Sequence, residues 1–371
     1  MYVAKNAERA GTGQSFYDRL KQARHHYVAH DVATLFGKVD KARVEALAAT
    51  LTRYIAENLP NAIERRDGLG DYRTNPYVLM TSATVMNLEE PLAFASFLFN
   101  SKLYAGLETS FGKSIEAAFM GAYPLNSKTH AKWTDAPEKL TEFKTYAGLS
   151  REEKALRRTS SVWREIDKSC VVGDRRFLIS IKSGPNCIND TQVQAMTRAI
   201  ADHHHTWLAA SKATYPRVKH LDIAIGITYG TDRTTNNKEN QILAKLVGHG
   251  FEENDPVAAP GVLVDTRTRT VKVYRRVGQD FWSMVGDPTK PKTTNFVFLE
   301  VLLGLAKGLA SVMNAAELED RINARLQALR AALGGLMFPR QSLPDWIRDE
   351  FRDKELFWFA TAMTAFFDEG I

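Results

Sequence analysis

Cysteine is nearly absent from this chain of 371 residues: only Cys170 and Cys187 occur, and neither has a CxxC partner. That excludes a disulfide framework and a cysteine zinc cluster, and it fits a reducing compartment. A long uncharged apolar run is also missing. The most apolar stretch, VFLEVLLGLAKGLASVM at 297–313, is broken by Glu300 and Lys307, short of the roughly 20 residues a bilayer span needs. No membrane helix is therefore expected. The opening MYVAKNAERAGTGQ lacks an apolar core followed by a small-residue cleavage site, so a cytoplasmic protein is expected. Internal repeats and low-complexity segments are absent too, which excludes solenoids and fibrous arrays. What is present, 44% hydrophobic and 25% charged residues, is a globular composition with apolar material for two or three cores.

The net charge of +6 permits a polyanionic partner without requiring one. Its distribution is uneven. Residues 150–182 hold nine basic and five acidic side chains, and residues 265–292 hold seven and three, so each segment is +4. From Glu300 onward, eight basic face eleven acidic residues, net −3. Positive charge is concentrated mid-chain, although such runs are often only a solvated face.

Periodicity divides the chain into three parts. Residues 1–100 read as helical, with FYDRLKQARHHYVAHDVATLF and ARVEALAATLTRYIAENL carrying apolar residues at helical spacing. A further helix is expected over 107–119, where Leu107, Phe111, Ile115 and Phe119 form one stripe. The texture then changes: SVWREID and FLISIKS read as strands joined at Gly173-Asp174, followed by a helix from about Thr191, capped by Asp190 or Thr191, and the strand LDIAIGITYG. The order is αββαβ, with two more strands at 261–266 and 270–277. Residues 296–371 close the chain as helices. The expected organisation is an N-terminal helical region (1–100), a central α/β core (101–295) and a C-terminal helical region (296–371).

Two decoys are set aside. Gly112-Lys113-Ser114 ends like a phosphate-binding loop, but the glycine such a loop needs at position 107 is Leu107 and the context is helical. His203, His204 and His205 are successive helical positions about 100° apart, so the three do not converge on one ion.

The informative place is the strand pair. Alternation in FLISIKS puts Leu178, Ser180 and Lys182 on one face and Phe177, Ile179 and Ile181 on the other. A lysine on a strand that otherwise reads as core calls for a reason. Phosphodiester hydrolysis needs a divalent cation, carboxylates to hold it and a cationic group to orient water and offset charge at phosphorus. Asp167 at one strand end and Lys182 on the neighbouring strand supply two of these parts.

The string WREID, eleven further residues, then ISIKSGPNCINDTQVQAM resembles the active-site hairpin of the PD-(D/E)XK nuclease superfamily. KSGPNCINDTQ in particular is similar to the PmeII-like group of type II restriction endonucleases and to enzymes cutting sites with CC and GG steps. The likeness covers residues 107–240. It implies an α/β (α+β) fold with a restriction-endonuclease-like αβββαβ core and mixed sheet, flanked by N- and C-terminal helical layers. It further implies a Mg²⁺-dependent, site-specific double-stranded DNA endonuclease acting as a homodimer on a palindromic site, with a cognate DNA methyltransferase in the same system. Asp167, Lys182 and Ser180 are the implied catalytic residues, with Asp167 and the Ile181 carbonyl as metal ligands. Two departures stand out: Ser180 occupies the position of the superfamily's second acid, and Ile166 that of its proline. The missing carboxylate is expected from the upstream helix, at Glu116 or, as an alternative, Glu108. The readings that compete with restriction are a repair or recombination nuclease of the same fold and a catalytically silent sequence-specific DNA-binding protein.

For DNA recognition, the loop TDRTTNNKENQ is rich in groups that pair with base edges, and Asp232, Arg233, Asn236, Asn237, Lys238 and Glu239 are the expected contacts. Arg175 and Arg176, and Arg267, Arg269, Lys272, Arg275 and Arg276, are expected on phosphates.

Overall fold

The computed structural model describes residues 33–64, 91–115, 120–125, 132–184, 187–231, 238–257, 259–313 and 316–336, with short pieces within 75–78 and 352–361. In chain order the principal elements are α1 (Lys41–Glu64), α2 (Pro91–Ser114), α3 (Pro137–Lys144), α4 (Arg151–Ser160), β1 (Lys168–Val172), β2 (Arg175–Lys182) and α5 (Asp190–Thr214). They continue with β3 (His220–Ile227), α6 (Lys238–Val247), β4 (Phe251–Asp255), β5 (Ala259–Asp265), β6 (Val271–Val277), α7 (Gln279–Gly286), α8 (Val297–Met313) and α9 (Ala316–Leu336).

The six strands form one mixed sheet in the order β1-β2-β3-β6-β5-β4. β2, β3 and β6 run parallel, while β1, β4 and β5 add antiparallel edges. The fold is thus α+β with flanking helices, as expected. The β1–β2 hairpin turns on Gly173, whose φ of +60° suits the two-residue connection between Val172 and Arg175. Within the hairpin the first strand is displaced from its expected place. SVWREID is not extended; the strand starts only at Lys168, because Trp163 and Ile166 are drawn into the core. The extra strand of an αβββαβ core is reduced, among the described residues, to a single bridge between Thr134 and Ser169.

Alternation along β2 sorts its side chains between two cores. Phe177, Ile179 and Ile181 pack with Leu47 and Leu51 of α1, Phe281 and Trp282 of α7, and Val297 and Val301. Leu178 faces the other way, with Ile223, Ile225, Val271 and Val273, against Val193, Met196, Ile200 and Trp207 of α5 and Ile242 and Leu246 of α6. Fully burying each such side chain contributes about 1.5–3 kcal/mol.

The terminal helices share the first core with the sheet. Gly304 and Gly308 let α8 lie directly on α1, since a Cβ at Gly304 would stand 2.7 Å from the Leu47 Cβ. By length and composition alone Pro291–Ser311 matches a membrane span. Its Glu300 is fully buried, however, and accepts from the Tyr123 hydroxyl at 2.8 Å and from Arg43 at 3.2 Å, which marks a core helix with a paired charge.

Candidate active site

The segment before β1 is fixed from several sides. The Trp207 indole N–H donates to the Val162 carbonyl at 3.0 Å, Lys139 donates to the Ile166 carbonyl, and Trp163 and Ile166 are buried against α5. Asp167 is delivered at the end of the ladder, where its N–H donates to the Ile179 carbonyl at 2.8 Å. One step further along β2 the partner strand has ended. There the Asp167 carboxylate takes over, its Oδ2 accepting from the Ile181 N–H at 2.6 Å. Ile179 and Ile181 therefore turn their backbone groups toward the same side, and the Ile181 carbonyl faces the Asp167 side of the strand.

Asp167, Ser180 and Lys182 line one open cleft of about 220 Å³, together with Arg164, Glu165, Thr191, Gln192 and Ala195. The cleft sits at the carboxyl end of β2, where open parallel sheets place ligands. Helix α5 begins beside it. Its N-terminus is closed by a capping box in which the Gln192 N–H donates to Asn189 Oδ1 at 2.9 Å and the Asn189 N–H to Gln192 Oε1 at 3.1 Å. The cap is thus Asn189, in place of the expected Asp190 or Thr191. The unsatisfied amides and dipole of this first turn favour an anion in the cleft.

Burial raises the Asp167 pKa, against the Ile181 hydrogen bond and the Lys182 charge, which lower it; the Glu165 carboxylate adds to the rise. Ser180 is 1% exposed, and its Oγ has no hydrogen-bond partner. A buried hydroxyl without a partner costs on the order of 1–3 kcal/mol, and this one borders a cleft lined by two carboxylates. Two acids, a backbone carbonyl and an orphan hydroxyl make an all-oxygen donor set that fits a hard divalent cation such as Mg²⁺.

Glu165 was not among the expected residues. Its nearness in sequence to Asp167 was the available signal, and the turn over residues 162–165 brings it to the cleft. Its carboxylate is largely buried and lies 3.5 Å from Arg164 Nε. Glu116, and the side chain of the alternative Glu108, lie outside the described residues, as do Asp232, Arg233, Asn236 and Asn237. The expected 107–119 helix is described as far as Ser114, within α2, with Ile115 in a wider helical turn; residues 116–119 lie outside the described residues. Gly112, on α2, meets the sheet at Ser183: a Cβ there would stand 3.7 Å from the Ser183 Cβ. Gly112-Lys113-Ser114 is helical, as its rejection as a phosphate loop requires.

Several expected DNA contacts are placed elsewhere. Arg176 is fully buried and clamps Glu138 with two bonds of 2.8 Å, its guanidinium 5.5 Å and 5.2 Å from the centres of the Trp163 and Tyr215 rings. Burial alone would raise the Glu138 pKa, but the bonds from Arg176 and Thr214 outweigh it and hold the carboxyl below its usual range. Such a group cannot reach a phosphate. Arg175 binds Asp222 at 2.5 Å. Burial nonetheless raises the Asp222 pKa, so here desolvation outweighs the ion pair. Both arginines start β2, six and seven residues from Lys182, which is about 20 Å along a strand.

Glu239 is fully buried and pairs with Arg275 at 3.4 Å, so it supports α6 instead of reading a base. Lys238, half-buried, bonds Asp190 across to the start of α5. Arg267 and Arg269 are exposed on the β5–β6 turn, and Arg269 pairs with Glu252. By the parallel register that turn lies at the opposite end of the sheet from Lys182. Arg275 and Arg276 lie at the cleft end of β6, where Arg276 stacks 4.4 Å from the centre of the Tyr274 ring.

No protein-family model matches this sequence, and no curated protein is significantly similar to it.

Proposed function

We propose that this chain is a Mg²⁺-dependent, site-specific double-stranded DNA endonuclease of the type II restriction class. One observation carries the reading: Asp167 and Lys182 share an open cleft with the unpartnered Ser180 hydroxyl, at the carboxyl end of β2 and the first turn of α5. Asp167 and the Ile181 carbonyl would hold Mg²⁺, with a second carboxylate from Glu165 or, as the resemblance implies, Glu116. When bound, Mg²⁺ supplies Lewis-acid polarisation of the scissile phosphate and lowers the pKa of an attacking water.

The protein's own groups do the rest. The α5 N-terminus and Arg164 draw the phosphate into the cleft. The Lys182 ammonium orients the attacking water and offsets charge growing on the equatorial oxygens. Ser180 leaves space where a bulkier acid would stand, and its hydroxyl gains a partner from the occupied site. A second carboxylate within the cleft, Glu165, supports catalysis over the silent DNA-binding reading.

A palindromic site is read by a homodimer whose two-fold axis coincides with that of the DNA. A DNA methyltransferase protecting the host site belongs to the same system, and both act in the cytoplasm. Digestion of long plasmid DNA with purified protein and Mg²⁺ tests this. Discrete, reproducible fragments are expected. A smear or branch-dependent nicking points to a repair nuclease, and tight specific binding without cleavage in Mg²⁺ or Mn²⁺ to a silent binding protein.

A further inference from the structure

Helix α5 places an unexplained pair of groups far from the cleft. His204 lies fourteen residues into the helix and is 4% exposed. Its Nδ1 lies 2.8 Å from the Ile200 carbonyl and 3.0 Å from that of Ala201. Both neighbours are acceptors, so Nδ1 carries the hydrogen and Nε2 presents a bare lone pair. That Nε2 is buried without a hydrogen-bond partner. It faces Asp265 Oδ1 across 3.8 Å, and Asp265 is itself 2% exposed.

Two electron pairs directed at each other in a buried place need something positive between them. A proton on Nε2 fits poorly, because 3.8 Å is beyond hydrogen-bond reach. A metal ion fits better: bonds of about 2.0–2.1 Å at tetrahedral angles set ligand atoms about 3.3 Å apart, so the 3.8 Å pair closes around an ion by a small side-chain shift. The carboxylate is also pre-set. Its Oδ2 accepts from the Thr268 N–H at 2.9 Å and hydroxyl at 2.6 Å, while Oδ1, which faces His204, takes only a long bond of 3.4 Å from the Arg267 N–H.

A third donor stands beside them. The exposed His205 ring lies 3.8 Å from that of His204, centre to centre, and the ligand atoms of His204, His205 and Asp265 all fall within 4.8 Å of one another. His203 turns instead toward Trp207. Three successive histidines do not converge, but two of them meet a carboxylate from β5 that sequence spacing does not reveal.

We infer that His204, His205 and Asp265 form a binding site for one divalent transition-metal ion, of the Zn²⁺ class, that fastens α5 to the β5–β6 turn. Imidazole donors select Zn²⁺, Co²⁺ or Ni²⁺ over Mg²⁺. Three protein ligands leave a fourth, solvent-side position for water. Hydrogen bonding of Nδ1 to backbone fixes the ring orientation, as ligating histidines require. The site is independent of the cleft: α5 crosses back between parallel strands, so its later turns lie at the end of the sheet away from Lys182.

Untagged full-length protein, stripped with chelator, is titrated with Co²⁺ followed by visible absorption and with Zn²⁺ followed by calorimetry and thermal shift. One ion per chain is expected, with a Co²⁺ spectrum of low coordination number, a raised Tm in Zn²⁺ and no competition from millimolar Mg²⁺. His205→Ala, at an exposed position that folding does not need, weakens binding by at least about 100-fold and removes the thermal shift. Asp265→Asn weakens it too, whereas Asp167→Asn leaves it unchanged. Absence of saturable binding to the folded wild type overturns the inference, and so does binding that His205→Ala leaves intact.

Discussion

The two ends of strand β2 carry similar charges and use them oppositely. At its start, the fully buried Arg176 holds the half-buried Glu138 by two bonds and is flanked by aromatic rings, with Ser211 as a further partner at 3.0 Å. At its end, Asp167 is half-buried with one oxygen engaged by Ile181, Ser180 has no partner, and the neighbouring space is open. The first arrangement is finished by the protein itself. The second leaves a hydroxyl without a partner beside an open cleft. A buried ion pair with complete partners is structure, while a half-buried carboxylate beside an orphan hydroxyl and an ammonium is the arrangement we propose as a site.

Four substitutions sharpen this contrast. Asp167→Asn keeps the acceptor for Ile181 and removes the charge, so cleavage falls by about a thousand-fold or more. The folded protein meanwhile gains stability near neutral pH. The sign follows from linkage: the folded pKa of Asp167 is raised, so wild-type stability is full below the ordinary carboxylate range and declines as pH rises through the folded value. The Tm gap between variant and wild type therefore opens from acid toward neutral pH, and Mg²⁺ narrows it by stabilising the wild type alone. A variant less stable than wild type at pH 7, measured by thermal denaturation, would make Asp167 a structural residue.

Arg176→Ala does the reverse. The half-buried Glu138 keeps Thr214 but loses both guanidinium bonds, which costs about 2–3 kcal/mol in denaturant unfolding, while the folded fraction still cuts. Loss of cleavage at unchanged stability would transfer Arg176 to the site. Glu165→Gln tests the second carboxylate, with a fall in rate of roughly a hundred-fold expected and partial recovery at high Mg²⁺; an unchanged rate returns that role to Glu116. The smallest effect is at Arg175. Arg175→Gln leaves the salt dependence of DNA binding as it was, whereas loss of a true phosphate contact lowers the slope by about 0.9.

Much of this contrast is legible in the sequence, and its limits are physical. Alternation in FLISIKS sorts Leu178 from Ile179 correctly, because a strand buried on both faces still obeys a period of two. Ser180 and Lys182 share a side for the same reason, and the hairpin at Gly173 follows from local turn chemistry. The segment SVWREID reads as strand from composition but is held off the sheet by Trp163 and Ile166, a tertiary demand that no local pattern encodes. Arg176 and Glu239 look like surface charges because their partners, Glu138 and Arg275, lie 38 and 36 residues away. β4, unmarked by any apolar alternation in FEEND, is set by pairing with β5. The meeting of His204 with Asp265 is of the same non-local kind.

The central claim concerns the cleft, and Lys182→Ala tests it most directly. Specific DNA binding and Mg²⁺-dependent cleavage are measured on the same preparations of variant and wild type, with binding followed in Ca²⁺. The account predicts binding close to wild type and cleavage reduced by at least about a thousand-fold. Cleavage by the variant at the wild-type rate would contradict it.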